Sequence, residues 1–124
     1  MKPAPFSIRD RLKSFQYAWQ GIVRFLRGDH NAWVHAVATV VVIILASVVP
    51  LTKTELLALV FAVGFVWVAE MFNTCIERTM DFISTEKRPE IGLIKDVAAG
   101  AVLVAAITAA IIGGIVFIPK LISA

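Results

Sequence analysis

Cysteine is nearly missing from this chain: the one present, Cys75, lies inside an apolar stretch. It gives no disulfide framework and is expected to serve as a small buried hydrophobe. Charge is also scarce, at 17% of residues against 59% hydrophobic, with a mean hydropathy of +0.83 over 124 residues. A soluble domain of this size is not that apolar, so the chain reads as one membrane-embedded unit covering 1–124. There is no G-x-x-x-x-G-K-[ST] phosphate loop, no Cys or His cluster at metal spacing and no Ser-His-Asp arrangement. Nucleotide chemistry of the P-loop kind, structural zinc and triad hydrolysis drop out together. No apolar core with a small-residue cleavage site follows the basic opening, so no signal peptide is expected. The net charge of +3 is modest and segregated along the chain, which argues for membrane orientation and against nucleic acid.

What is present falls into four segments of all-α character. Residues at about 7–27 have an amphipathic period, with Phe15, Trp19, Ile22, Val23 and Leu26 recurring at three- and four-residue steps and Ser7 or Asp10 available as a cap. Arg9, Arg11, Lys13, Arg24 and Arg27 make this a helix suited to lie in the headgroup plane, the alternative being an ordinary soluble helix. Three apolar runs, at about 32–49, 56–76 and 96–118, are long enough to cross a bilayer. A very short connection joins the first two, and the polar stretch 77–95 must include a loop.

Basic residues set the orientation. Six lie in the N-terminal segment and four in the second connection, against one in the first connection and one near the C-terminus. The positive-inside rule then makes the N-terminus and the 77–95 stretch cytoplasmic. Glu70, Asn73, Glu77, Asp81, Lys95, Asp96, Asp29 and His30 gather at that cytoplasmic boundary, and the opposite boundary has almost no chemistry.

The second apolar run ends in Glu70-Met71-Phe72-Asn73-Thr74-Cys75-Ile76-Glu77. Spacings of i, i+3 and i+7 put Glu70, Asn73 and Glu77 on one helix face, continued by Thr74 and Asp81. Charge near a bilayer centre costs about 2.5–3.5 kcal/mol on insertion scales, so an acid there is a functional candidate. Glu70 and Glu77 lie about 10 Å apart along a helix axis, so only one can be superficial. Interhelical glue is the competing reading of the stripe. Two carboxylates on one stripe repel, however, unless a proton or cation intervenes, and oxygen ligands suit a hard cation such as Mg2+. His35, four residues into its run, reads as an interfacial or packing histidine, and His30 as solvated.

In the third run Ala101, Ala105, Ala109 and Gly113 repeat at i+4 beside a second row, Ala106, Ala110 and Gly114. This small-xxx-small pattern lets membrane helices approach closely. Three short helices cannot enclose a polar site alone, so a homo-oligomer is expected.

The run from Glu70 to Glu77, followed by Asp81 and then Lys95-Asp96 at the mouth of an alanine-rich helix, resembles the small bacterial integral-membrane lipid kinases, the diacylglycerol kinase and undecaprenol kinase family. Ser14-Phe15-Gln16-Tyr17-Ala18-Trp19-Gln20-Gly21 resembles that family's surface-helix motif. The resemblance implies a homotrimer of three-helix protomers that transfers the γ-phosphoryl group of MgATP to a lipid hydroxyl. By resemblance Glu70 matches the general base, Glu77 and Asp29 the Mg2+ positions, and Asn73, Asp81, Lys95 and Asp96 nucleotide or active-site positions, with Tyr17 the aromatic near the nucleotide. Asp29 stands where the family has glutamate. Asn31 and His35 are kept from the undecaprenol-type entry to the first membrane helix, whereas Trp33 replaces its arginine. The acceptor, diacylglycerol or undecaprenol, is left open.

Two other readings stand beside it. A proton- or ion-coupled membrane protein using Glu70 as a relay requires polar groups continuing to the far side, and only Thr39, Ser47 and Thr108 lie within the other two spans. A catalytically inactive assembly subunit of the same fold rests on Asp29 alone.

Overall fold

A computed structural model describes residues 2–123 and shows an all-helical chain: α1 (Ile8–Gly28), α2 (His30–Val48), α3 (Lys53–Ile83) and α4 (Pro89–Ile122). The last three are each long and apolar enough to cross a membrane. Their large side chains remain mostly exposed, as lipid-facing surfaces do, because hydrocarbon tails give them no reason to turn inward.

Local chemistry explains the helix ends. Ser7 is the residue that caps α1, accepting the Asp10 N–H at 3.3 Å. Asp29 is shared between two helices: its own N–H bonds the Phe25 carbonyl to close α1, while its Oδ1 accepts the Asn31 N–H at 2.8 Å to open α2. α3 opens with a capping box between Thr52 and Glu55. Pro89 occupies the first turn of α4, where its missing N–H costs nothing.

Both later helices run further than the expected spans. α3 has 31 residues and α4 has 34, about 46 and 51 Å at 1.5 Å per residue, against a hydrocarbon thickness of about 30 Å. The polar stretch 77–95 is therefore mostly helix, and the connection between α3 and α4 is only residues 84–88. Hydropathy marks where lipid ends, not where a helix does. Pro119 did not end the last helix either: α4 continues through it to Ile122.

α4 packs chiefly along α3, α2 packs less extensively on α3, and α1 touches α2 at their shared hinge. At the end near the α2–α3 connection, Leu59, Val116 and Phe117 form a buried cluster surrounded by Val42, Leu45, Val49 and Ile112. Lys120 and Glu55 pair at 3.1 Å beside it. Ala105 is completely buried inside the protomer, so part of the small-residue row lets α4 lie close to its own neighbours, while Ala101 and Ala110 face outward. Cys75 corrects another expectation, being exposed on the protomer surface. On a helix that faces lipid, an apolar neighbourhood in sequence is no measure of burial in protein.

Candidate active site

The polar residues collect at the end of α3 remote from that apolar cluster. Glu70 and Asn73 are buried, with side chains 2% and 6% exposed, whereas Glu77 and Asp81 on the following turns are exposed. The i, i+3, i+7 stripe thus runs from the protein interior out to its surface. Asn73 Nδ2 donates to Glu77 Oε1 at 3.4 Å, joining its middle to its outer part. Glu70 Oε1 and Asn73 Oδ1 are buried with no hydrogen-bond partner among the described residues. Buried acceptors without donors are costly, and two at one place mark a site that something else completes.

α2 supplies the partners of the stripe. Thr74 Oγ1 donates to Asp29 Oδ2, which brings Asp29 beside α3, and a cavity of about 360 Å3 opens there between Asp29, Asn31, Glu77, Arg78 and Asp81. Gly28 also lines it, and a Cβ at that position would meet Arg78 Nη2 at 3.3 Å, so the absence of a side chain admits the guanidinium. Deeper in, His35 Nε2 lies 3.2 Å from Glu70 Oε2.

On the α4 side, Lys95 Nζ donates to Asp81 Oδ1 at 2.6 Å across the hairpin. Both residues line a cavity of about 620 Å3 under the 84–88 connection, with Lys87 and Arg88 adding positive charge. Lys95 lies in the second turn of α4, not at its mouth, because the helix begins at Pro89. Asp96 is exposed and lines none of these cavities, and Tyr17, 65% exposed on α1, lines none of them either.

Several members of this constellation were not joined to it by sequence reasoning. His35 reads from the sequence as an interfacial or packing histidine and, by resemblance, as part of the undecaprenol-type entry, yet it contacts Glu70; the signal is a histidine one turn before Thr39, on the helix packed against Trp67 and Glu70. Trp67 Nε1 donates to Thr39 Oγ1 at 2.9 Å, and beyond these residues the lining of the small cavity is valine and alanine. That cavity thus offers no further polar side chain to carry a proton onward from Glu70. Arg78 was counted only toward orientation, although it lines the cavity that holds Asp29 and Glu77.

The donor set can be tested against Mg2+. Among the described residues, no three His, Cys, Asp or Glu side chains cluster closely enough to hold a metal by themselves. Mg2+ does not require such a cage; it is commonly bound by one or two carboxylates together with substrate phosphates and water. Asp29 and Glu77 on one cavity wall fit that pattern, and each Asp29 oxygen retains acceptor capacity beyond its single bond.

Three helices long and apolar enough to cross a membrane, with carboxylates, lysine and arginine gathered at one end, define the class: a membrane protein with a charged site at one end of its helices. The family described as prokaryotic diacylglycerol kinase matches residues 16–117, and the chain belongs to that family of lipid kinases. It is 38% identical over 109 residues to an undecaprenol kinase of Bacillus subtilis, covering 88% of this chain and 89% of that protein. It is also 37% identical over 113 residues to a diacylglycerol kinase of Synechocystis sp., covering 90% of this chain but 65% of the relative.

Proposed function

We propose that this lipid kinase transfers the γ-phosphoryl group of MgATP to the hydroxyl of a membrane lipid, undecaprenol or diacylglycerol, at the cytoplasmic face of a bacterial inner membrane. The observation that carries the reading is the stripe itself: one acid, Glu70, buried inside the protomer, and a second, Glu77, exposed one turn beyond Asn73 on a cavity it shares with Asp29. Phosphoryl transfer asks mainly for positioning and charge neutralisation, plus a group to take the hydroxyl proton. Glu70 Oε1, with no partner of its own, is the proton acceptor for the lipid hydroxyl. Asp29 and Glu77 would hold Mg2+, which supplies charge neutralisation on the phosphates when bound. Lys95, Arg78 and Asn73 orient the nucleotide, and Asp81 holds Lys95 in place.

Tyr17 and Asp96 contribute to the nucleotide site from a neighbouring copy in this reading, which accounts for their exposure in the isolated protomer. A homotrimer is the assembly proposed, with α1 lying along the membrane surface. Its exposed Phe15, Trp19 and Leu26 support that placement.

Purified protein in mixed micelles with γ-labelled ATP is expected to phosphorylate undecaprenol or dioleoylglycerol only when Mg2+ is present. Label in neither lipid would overturn the reading. Orientation has its own test: in a Cys75→Ser background, Ser84→Cys should react with an impermeant maleimide from the cytoplasmic side and Ser123→Cys from the opposite side. Reaction of position 84 from outside alone would reverse the topology and remove the site from its nucleotide.

A further inference from the structure

Among the described residues, the buried Glu70 carboxylate has one hydrogen-bond partner, and it comes from a different helix. His35 Nε2 lies 3.2 Å from Glu70 Oε2, with side chains 15% and 2% exposed. With Glu70 acting as the base its carboxylate can only accept, so in that reading Nε2 carries the hydrogen and donates. The imidazole is itself held. Trp67 meets it edge-on at a centroid distance of 6.1 Å and an interplanar angle of 61°. That indole is fixed by its bond to Thr39, whose hydroxyl donates to the His35 carbonyl at 2.7 Å, and by Phe25 of α1 packed edge-on at 6.1 Å. Three helices therefore converge to aim one N–H at one carboxylate oxygen. The adjoining cavity of about 90 Å3 is otherwise lined by valine and alanine, which offer the ring no competing side-chain acceptor.

We infer that His35 is a positioning residue for phosphoryl transfer: by tying down Oε2 it fixes the Glu70 rotamer and leaves Oε1, buried and without a partner, as the oxygen free to take the lipid hydroxyl's proton. This rests on Glu70 being the base. In the step, the lipid O–H bond breaks and its proton passes to Oε1, while the lipid oxygen bonds to the γ-phosphorus. The bond from that phosphorus to the bridging oxygen breaks, leaving ADP. The His35 N–H stays on Oε2 throughout and exchanges no proton. An untethered glutamate samples several rotamers, and a reacting group displaced by about 1 Å can lose 10²-fold in rate.

The test compares three variants of the full chain in micelles, using the lipid that the wild type phosphorylates, undecaprenol or dioleoylglycerol. His35→Leu removes the donor, His35→Gln places an amide nitrogen near the position of Nε2, and His35→Asn places one near Nδ1 instead. His35→Leu should lower kcat by about 10–100-fold with KM for MgATP nearly unchanged, the signature of an interaction that matters in the transition state. His35→Gln should recover most of that loss and His35→Asn little of it. A merely structural histidine predicts that Gln and Asn behave alike, and that result, or a change confined to KM, overturns the proposal. Should His35→Leu fail to assemble in detergent, the contrast between Gln and Asn decides alone. Glu70→Gln, measured in parallel, separates the two levels: full turnover there defeats the base assignment, whereas its collapse with equal activity in His35→Gln and His35→Asn defeats only the positioning role.

Discussion

Glu70→Gln is expected to lower lipid phosphorylation by about 10²–10⁴-fold, the usual worth of a positioned general base, while leaving assembly and MgATP affinity intact. The structure makes this substitution an unusually clean one. The glutamine carbonyl can still accept from His35 Nε2 in place of Oε2, so the link between α2 and α3 survives while the proton acceptor is gone. The glue reading of the stripe predicts an active and intact enzyme for the same reason. Oligomer size in detergent, nucleotide affinity and turnover are the three measurements that tell these apart. Undiminished turnover in an intact assembly removes Glu70 as base, and loss of the assembly makes the stripe structural first.

The second large effect is expected at Asp29 and Glu77. If they share Mg2+, Asp29→Asn and Glu77→Gln should each lower kcat/KM for MgATP by about 10²-fold or more, comparable to removing one electrostatic contact to a developing charge. Asp29 needs care because it also caps α2. Asparagine is as good an N-cap as aspartate, and its amide can donate to Thr74 Oγ1 while its carbonyl accepts from Asn31 N–H. Asp29→Asn therefore removes the charge and keeps the joint. Asp29→Glu does the reverse, keeping the charge on a residue that caps poorly. It should retain activity while losing thermal stability of about 0.5–2 kcal/mol, the range for a lost cap. Steady-state kinetics at varied Mg2+, run beside thermal unfolding, separate the two roles. Full activity in Asp29→Asn or Glu77→Gln excludes that residue from the metal site.

The same double use of Asp29 shows where reading residues in order reaches its limit. As a carboxylate between two helical patterns it was legible as a break and, through resemblance, as a metal position. That one residue would close α1 through its backbone N–H, open α2 through one carboxylate oxygen and accept from Thr74 on α3 through the other follows only from how the helices meet. The cost of leaving helix-terminal N–H groups unpaired explains why such a residue stands there at all.

Composition alone pointed to a membrane, because 59% hydrophobic residues and a mean hydropathy of +0.83 exceed what a soluble domain of 124 residues carries. Helical spacing alone determined that Glu70, Asn73 and Glu77 share a face, since 3.6 residues per turn is a property of the backbone and not of the fold. Other matters lay beyond any local rule. Where α3 ends and α4 begins was set by hairpin packing and the Lys95–Asp81 clamp, which carry the helices past the apolar runs. Which stripe residues are buried was set by α2 and α4 covering its inner part and leaving its outer part open. The partner of Glu70 was decided by tertiary structure alone, because His35 is 35 residues away along the chain and sequence spacing constrains neighbours only within one helix.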